Sequence, residues 1–421
     1  MKFYMGSVSV ITSLGALMAL PALASQQSDT KGFVEDSKLS VLNRNFYINR
    51  DMRNGGSFTA GSEPRGYGSE WGQGVIGRLT SGFTQGTIGF GVDALGLFAA
   101  KLDTGDGRSG LLALERDDER HAKDTQAFAG AALKMRLSNT ELKYGDQMVN
   151  LPVFSTADTR LLPETAEGWL LTSQEIKDLS ISAGHFTGLR ARNDSSHDSV
   201  GLTSTDLAGL VYKFSKQAAG SFYYADTDNR FRKYYVNGNY VYPLNSSQSL
   251  SFDANYYNTK GDSSLATYDR LDNQAFSLSA GYSFGPHKIT LSHQRIVGDG
   301  GYNYGIDGNT AIFLANSVQL SDFNQEDERS WQLKYDLNMV AFGYPGLNFM
   351  TRYLRGDGFT AAGTTDGKEW ERDTEIKYVV QSGAAKDLSL RVRHAVRRTS
   401  DIANGDIDEI RIITEYPINI F

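Results

Sequence analysis

The feature that most constrains this chain is an alternation with a period of two, repeated along nearly its whole length. Ile88, Phe90, Val92, Ala94 and Phe98 share one parity. Leu250, Phe252, Ala254 and Tyr256 share the next, and Phe276, Leu278, Ala280, Tyr282 and Phe284 follow. Trp331, Leu333, Tyr335 and Leu337 come later. The intervening positions carry Ser, Gly, Asn, Gln, Lys, Arg and Asp. Successive side chains of a strand point to opposite faces, so each segment is a strand with one apolar and one polar face.

About 18 such segments can be counted. They begin near residues 39, 71, 86, 125, 140, 168, 178, 204, 218, 231, 247, 272, 286, 327, 346, 371, 387 and 408. Tight connections such as Ser138-Asn139 and Gly285-Pro286-His287 alternate with long ones, roughly 51–70, 102–124, 148–167, 188–203, 258–271, 298–326 and 356–370. Short turns on one side and long loops on the other mark an antiparallel outer-membrane β-barrel. A soluble sandwich or propeller shares the alternation, but not the even strand count or the Tyr- and Phe-heavy apolar rows. One detail departs from the pattern: Ile410, Ile412, Tyr416, Ile418 and Ile420 share a parity that the terminal Phe421 does not.

The first 24 residues read differently. Lys2 is followed by a short apolar stretch, Gly6 to Leu20, and then by Ala22-Leu23-Ala24 before Ser25. That is the form of a cleaved secretory signal peptide. The expected organisation is a signal peptide at 1–24 and one barrel domain at 25–421, placed in a Gram-negative outer membrane. No later apolar run approaches the 18 residues of a membrane-spanning helix. The net charge of −7 excludes a globally basic nucleic-acid binder, and the lack of cysteine excludes disulfides and thiolate metal sites.

Eighteen strands leave an aqueous channel, whereas about eight are filled by their own side chains. Selectivity then rests on the charges lining the pore. In Asp387–Thr399, Leu388, Leu390, Val392 and Val396 share the even parity, and Arg391, Arg393 and Arg397 the odd. An arginine facing lipid at the midplane costs about 2–4 kcal/mol, so the odd row must face the lumen. His394 is then an exception in the lipid-facing row. The same argument turns Lys334, Arg352, Lys377 and Arg411 inward, opposite apolar neighbours on their own strands. These cations can form a ladder along which a carboxylate passes, unless Asp336, Asp373, Glu375 and Glu415 neutralise it. In the segment 148–167, Pro152, Phe154, Leu161, Leu162 and Pro163 can pack against the wall and leave Arg160 at a constriction; a solvated surface loop is the other reading.

The stretches GFVEDSKLSVLNRNFYINRD (32–51), SGFTQGTIGFGVDALG (81–96), RLLPETAEG (160–168) and IFLANSVQLSDFN (312–324) resemble the OprD-type family of substrate-specific outer-membrane channels. So do YPGLNFMTRYLRG (344–356), KYVVQSGAAKDLSLRVR (377–393) and EIRIITEYP (409–417). The resemblance implies an 18-stranded monomeric pore with a narrow eyelet and a basic ladder, passing small carboxylates. The ladder positions carry over as Lys377, Arg391, Arg393 and Arg411, and the eyelet arginine as Arg160. The branch of the family that passes basic amino acids holds the substrate's cation with two acidic residues before IFLANS. Here those positions are Asn303 and Thr310, with Asp307 nearby. Their loss favours the OccK-like branch, which passes cyclic or aromatic monocarboxylates, over the OccD-like branch for basic amino acids and small peptides. Tyr302 and Tyr304 are candidate aromatic contacts at the eyelet.

An enzyme is not expected. The six histidines are scattered without HExxH spacing, and no GxSxG elbow is present. A hydrolase assembled across strands is the distant alternative. No cofactor and no metal are implied. The expected partners are small carboxylates, outer-membrane lipid and lipopolysaccharide, with a weak trimer as the alternative to a monomer.

Overall fold

The computed structural model describes residues 27–60, 63–103, 108–262, 266–303, 305–306, 312–361, 364–400, 402 and 405–421. The proposed signal peptide, Tyr304, Asp307 and Thr310 lie outside the described residues.

Eighteen strands build one sheet. They are β1 (Lys38–Met52), β2 (Tyr67–Thr80), β3 (Ile88–Asp103), β4 (Thr125–Leu137), β5 (Thr140–Gln147) and β6 (Thr165–Ser173). Next come β7 (Leu179–Arg190), β8 (Thr205–Lys213), β9 (Ala218–Thr227), β10 (Phe231–Asn245), β11 (Gln248–Gly261) and β12 (Asp272–Phe284). The last six are β13 (His287–Asp299), β14 (Arg329–Asn338), β15 (Leu347–Ala361), β16 (Thr364–Val379), β17 (Ser389–Thr399) and β18 (Ile407–Asn419). Each pairs antiparallel with its chain neighbours, and β1 also pairs with β18, Ile48 opposite Arg411. That pairing closes the sheet. Closure leaves no unpaired edge, which is what lets a strand structure cross a bilayer.

The apolar rows face outward. Trp331, Leu333, Tyr353 and Leu390 expose about half their surface or more, 54% and 57% for the first two. On the same strands Ser330, Gln332, Leu354 and Ser389 are buried toward the interior. This register is enforced by the membrane rather than by a core. Leu333→Arg places a guanidinium in the middle of the outward row of β14. It is expected to destabilise the folded barrel by about 2–4 kcal/mol, read as a lower urea midpoint in refolding titrations into lipid vesicles.

Two departures from the sequence reading are local. The strand expected near 371 begins at Thr364, and β15 runs on to Ala361, so most of the loop expected at 356–370 is strand. This hairpin rises above the bilayer, where neither face needs to be apolar, and the alternation that signals a strand disappears. Phe359 is buried and folds over Gly367, where a Cβ would meet the Phe359 ring at 2.0 Å. The connection between β9 and β10 is also short, Asp228 to Arg230, although it lies on the long-loop side.

Candidate functional site

Three long connections turn into the barrel rather than away from it. In the first, Glu70 on β2 accepts backbone N–H bonds from Gly110 (2.8 Å), Leu111 (3.2 Å) and Ala113 (2.8 Å), which hold this stretch against the inner wall. In the second, residues 148–164, a two-strand ribbon pairs Asn150–Leu151 with Phe154–Ser155. Phe154 stacks on Phe186 of β7 at 4.7 Å, and Leu161 and Leu162 are fully buried. Leu161 lies over Gly72 and Gly74 of β2, where a Cβ would come within 2.5 and 3.0 Å of its side chain. Glycine at these inward positions therefore makes room for the segment. In the third, residues 312–328, Gln294 receives the N–H of Asn316 at 2.9 Å, and Glu371 receives those of Leu320 (2.9 Å) and Ser321 (2.8 Å).

Arg160 stands where these segments converge. Its Nε donates to the carbonyl of Leu111 at 3.1 Å and its Nη1 to that of Thr159 at 3.0 Å. Burial, with the guanidiniums of Arg411 and Arg192, pushes it well below the usual arginine range, while Glu409 opposes the shift. An arginine stays protonated under such conditions, so the cost appears as a standing demand for anions. Gln319 donates to Glu409 at 3.1 Å, and Arg411 donates to the carbonyl of Gln319 at 3.2 Å. Arg160, Gln319, Glu409 and Arg411 thus come from three different parts of the chain.

The basic ladder is continuous in register. Lys334 lies opposite Arg352, Lys377 opposite Arg391, and Arg393 opposite Arg411. Most of the acids on the same walls are paired with it, while Glu371 is held by the backbone N–H groups of Leu320 and Ser321. Arg352 meets Asp373 at 2.7 Å, Lys334 meets Asp336 at 3.0 Å, and the buried Arg397 meets Glu369 at 2.6 Å. These three pairs are locally neutral. Glu375 is shared by Arg393 at 3.1 Å and Arg391 at 3.8 Å. Glu409 is shared by Arg411 at 2.5 Å and Arg50 at 2.6 Å. Among the described residues Lys377 has no carboxylate within 4 Å. Five cations, Lys377, Arg391, Arg393, Arg411 and Arg50, therefore hold two carboxylates between them. This cluster of five cations lies on β16–β18 and β1, where its excess charge is partly offset by the two acids on Arg44, Asp158 and Glu415, and by the buried Glu371.

Two cations of this wall escaped the sequence reading. Arg50 and Arg44 sit on β1, in a polar-rich stretch without a clean apolar row. Arg44 is nearly buried and holds Asp158 at 2.6 Å, Glu415 at 2.8 Å and the carbonyl of Arg160 at 2.9 Å. It fastens the second inward segment to the wall. Tyr302 needs a correction. Only 2% exposed, it packs on Tyr257 at 4.8 Å with Lys233 over its ring at 5.1 Å, so it belongs to the packing of the inner wall, not to the opening. The reason is its neighbourhood: Tyr235, Tyr257 and Leu314 bury it in one apolar cluster. Donor atoms of Asp146, Glu167 and His197 lie within 4.8 Å of one another, and no further feature points to an ion there.

A closed 18-stranded barrel with inward-folded loops and a lopsided ring of lumenal charge defines an outer-membrane channel with a selective constriction. Residues 31–420 match the outer membrane porin, OprD family, and the chain belongs to that family. It is 41% identical to Porin D of Pseudomonas aeruginosa, over 95% of this chain and 94% of that protein. Its structure is similar to that of Pseudomonas aeruginosa OccK9, with a TM-score of 0.87 at 34% identity, covering 93% of this chain and all of the other. It is also similar to Pseudomonas aeruginosa OpdK solved with vanillate, with a TM-score of 0.84 at 31% identity, covering 92% and 100%. Family and fold point to an uptake channel rather than an enzyme, in a Gram-negative outer membrane.

Proposed function

We propose that the channel passes small carboxylates by passive diffusion, with cyclic or aromatic monocarboxylates as the preferred class. The observation that supports this reading is the cluster of Lys377, Arg391, Arg393, Arg411 and Arg50, five cations that share only Glu375 and Glu409 as ion-pair partners. An anion entering there meets guanidiniums not fully satisfied by their own partners, and each can bind a carboxylate through two parallel hydrogen bonds. The shared carboxylates keep the attraction moderate, and conduction needs release as well as entry. Arg160, on the second inward segment, is the eyelet group. Lys334, Arg352 and Arg397 are balanced by their acids and act as wall rather than as stations. OpdK, a channel of similar architecture, has been solved with vanillate, an aromatic monocarboxylate, which supports this reading.

Basic amino acids are the second reading. Identity favours the OccD-like branch, since the chain is 39% identical to OccD1 (OprD) against 34% to OccK9 and 31% to OpdK. Asn303, at a position where that reading expects an acid, weighs against it. Uptake of benzoate and of arginine into liposomes bearing the purified protein separates the two. Faster benzoate entry is expected. Faster arginine entry would overturn the monocarboxylate reading, and entry of neither into a membrane that still conducts ions would overturn both.

A further inference from the structure

The outward rows of β13–β17 carry an unusual load. Arg295, Arg329, Arg355, Arg372 and Arg398 share the parity of the lipid-facing residues of their strands, the parity of Leu291, Leu333, Tyr353, Ile376 and Leu390. They lie between seven (Arg372) and nine (Arg329, Arg398) residues from the ends of their strands at the short-turn side. At about 3.3 Å per residue and a tilt of about 40°, that places all five roughly 18–23 Å above the periplasmic rim. The apolar band of such a barrel is about 25 Å tall. The arginines therefore form a belt a few ångströms below the top of that band, from which their long side chains reach the outer-leaflet headgroups. Trp331 and Trp370 lie among them, each directly opposite Arg355 across a strand pair.

Only part of this belt is neutralised by the protein. Arg329 meets Asp357 at 2.5 Å, and Arg398 meets Asp408 at 2.8 Å. Among the described residues Arg295, Arg355 and Arg372 have no carboxylate partner, and all three are exposed. Far around the barrel, on β7–β9, the outward cross-strand row reads His185, Asp206, Asp226. The row continues with Arg232 and Lys260, but these meet Asp262 at 2.9 Å and Asp272 at 3.6 Å, so the unpaired positive charge is the feature of β13–β17.

The same face has a second feature. A shallow apolar depression of about 680 Å³ opens on the outer surface of β9–β14. Gly238, Ala254 and Ala280 form its floor, and Phe252, Leu278 and Trp331 stand around it. Gly238 has nothing within 4 Å of where a Cβ would be, so the floor is left open. The depression reaches the belt at His293 and Trp331, one residue position below Arg295 and Arg329 in the outward rows.

We infer that this face binds lipid A, with its phosphates on Arg295, Arg355 and Arg372 and an acyl chain in the depression beside Trp331. Charge complementarity selects the headgroup. A guanidinium pairs with phosphate bidentately, and the three unpaired arginines span β13 to β16, about 14 Å for three spacings of about 4.8 Å, which suits a ligand with two separated phosphates. The depression supplies what a soluble phosphate would not use. The site is remote from the pore, so its occupancy does not depend on which substrate the lumen passes.

The test uses the full-length mature protein in detergent, with bis-phosphorylated hexa-acyl lipid A titrated and bound lipid read by native mass spectrometry. The triple variant Arg295→Gln/Arg355→Gln/Arg372→Gln is expected to bind it at least tenfold more weakly than the wild type. Single-channel conductance should be unchanged in that variant, since none of the three lines the lumen. Dephosphorylated lipid A should bind both proteins equally weakly, and phosphatidylglycerol should bind the wild type at least tenfold more weakly than lipid A does. Equal lipid A affinity of variant and wild type would overturn the assignment. So would wild-type binding of phosphatidylglycerol as tight as that of lipid A. Should the triple variant lose its heat-modifiable mobility and prove unfolded, the single variant Arg355→Gln, at the centre of the belt, takes its place, with about threefold weaker binding expected and unchanged binding overturning the assignment.

Discussion

Replacing Arg391 and Arg393 together by glutamine lowers benzoate uptake about tenfold, while small-ion conductance falls by less than about twofold; a tenfold change corresponds to about 1.4 kcal/mol. The two arginines share Glu375, Arg391 only at 3.8 Å, so both retain hydrogen-bonding capacity for a passing anion. Their removal leaves Glu375 facing the path with Lys377 as the nearest remaining cation of that strand. The excess of cations around Glu375 is thereby removed, leaving Lys377 and Glu375 in balance. A carboxylate, which needs directed donors, loses more than a hydrated inorganic ion, which needs only an open lumen. Parallel liposome uptake and planar-bilayer conductance read the two effects separately. Equal losses in both would assign the pair a structural role.

A comparable effect is expected from Arg44→Leu, for a different reason. Arg44 holds Asp158, Glu415 and the carbonyl of Arg160 at once. Removing one partner of a buried charge network costs about 3–5 kcal/mol, since the other charges are left unpaired. Both Asp158 of the second inward segment and Glu415 of β18 are released, and the segment, which lacks the ladder of the closed sheet, takes up the displacement. The expected result is a barrel that still folds, by its heat-modifiable mobility, yet shows higher and noisier single-channel conductance with weaker discrimination between benzoate and arginine. Unchanged conductance and selectivity would show that Leu161, seated over Gly72 and Gly74, is sufficient to hold the segment in place.

The ladder was legible in the sequence because lipid enforces it. Arg391 and Arg393 alternate with Leu390 and Val392, and only one register avoids placing guanidiniums in hydrocarbon. Arg44 and Arg50 were not legible. Their strand mixes polar residues on both parities, and a loop covering β1 from inside hides the usual contrast. The pairing state of the ladder was equally hidden. Whether Glu375 reaches one arginine or two depends on the side-chain geometry of three strands, which alternation does not encode. Tyr302 shows the same limit, since a tyrosine in a loop reads alike whether it lines a pore or packs on Tyr257.

By itself the sequence determined the number of strands, their closure into a transmembrane barrel and which row of each faces lipid, because a bilayer penalises every misplaced charge and every unpaired backbone group at each strand separately. Only the tertiary structure decided how the lumen is narrowed. Arg160, Gln319, Glu409 and Arg411 come from two inward segments and one strand, with 249 positions separating Arg160 from Glu409 (409 − 160). Contacts over such separations depend on which loop folds inward and which glycine makes room for it. No local periodicity carries that information.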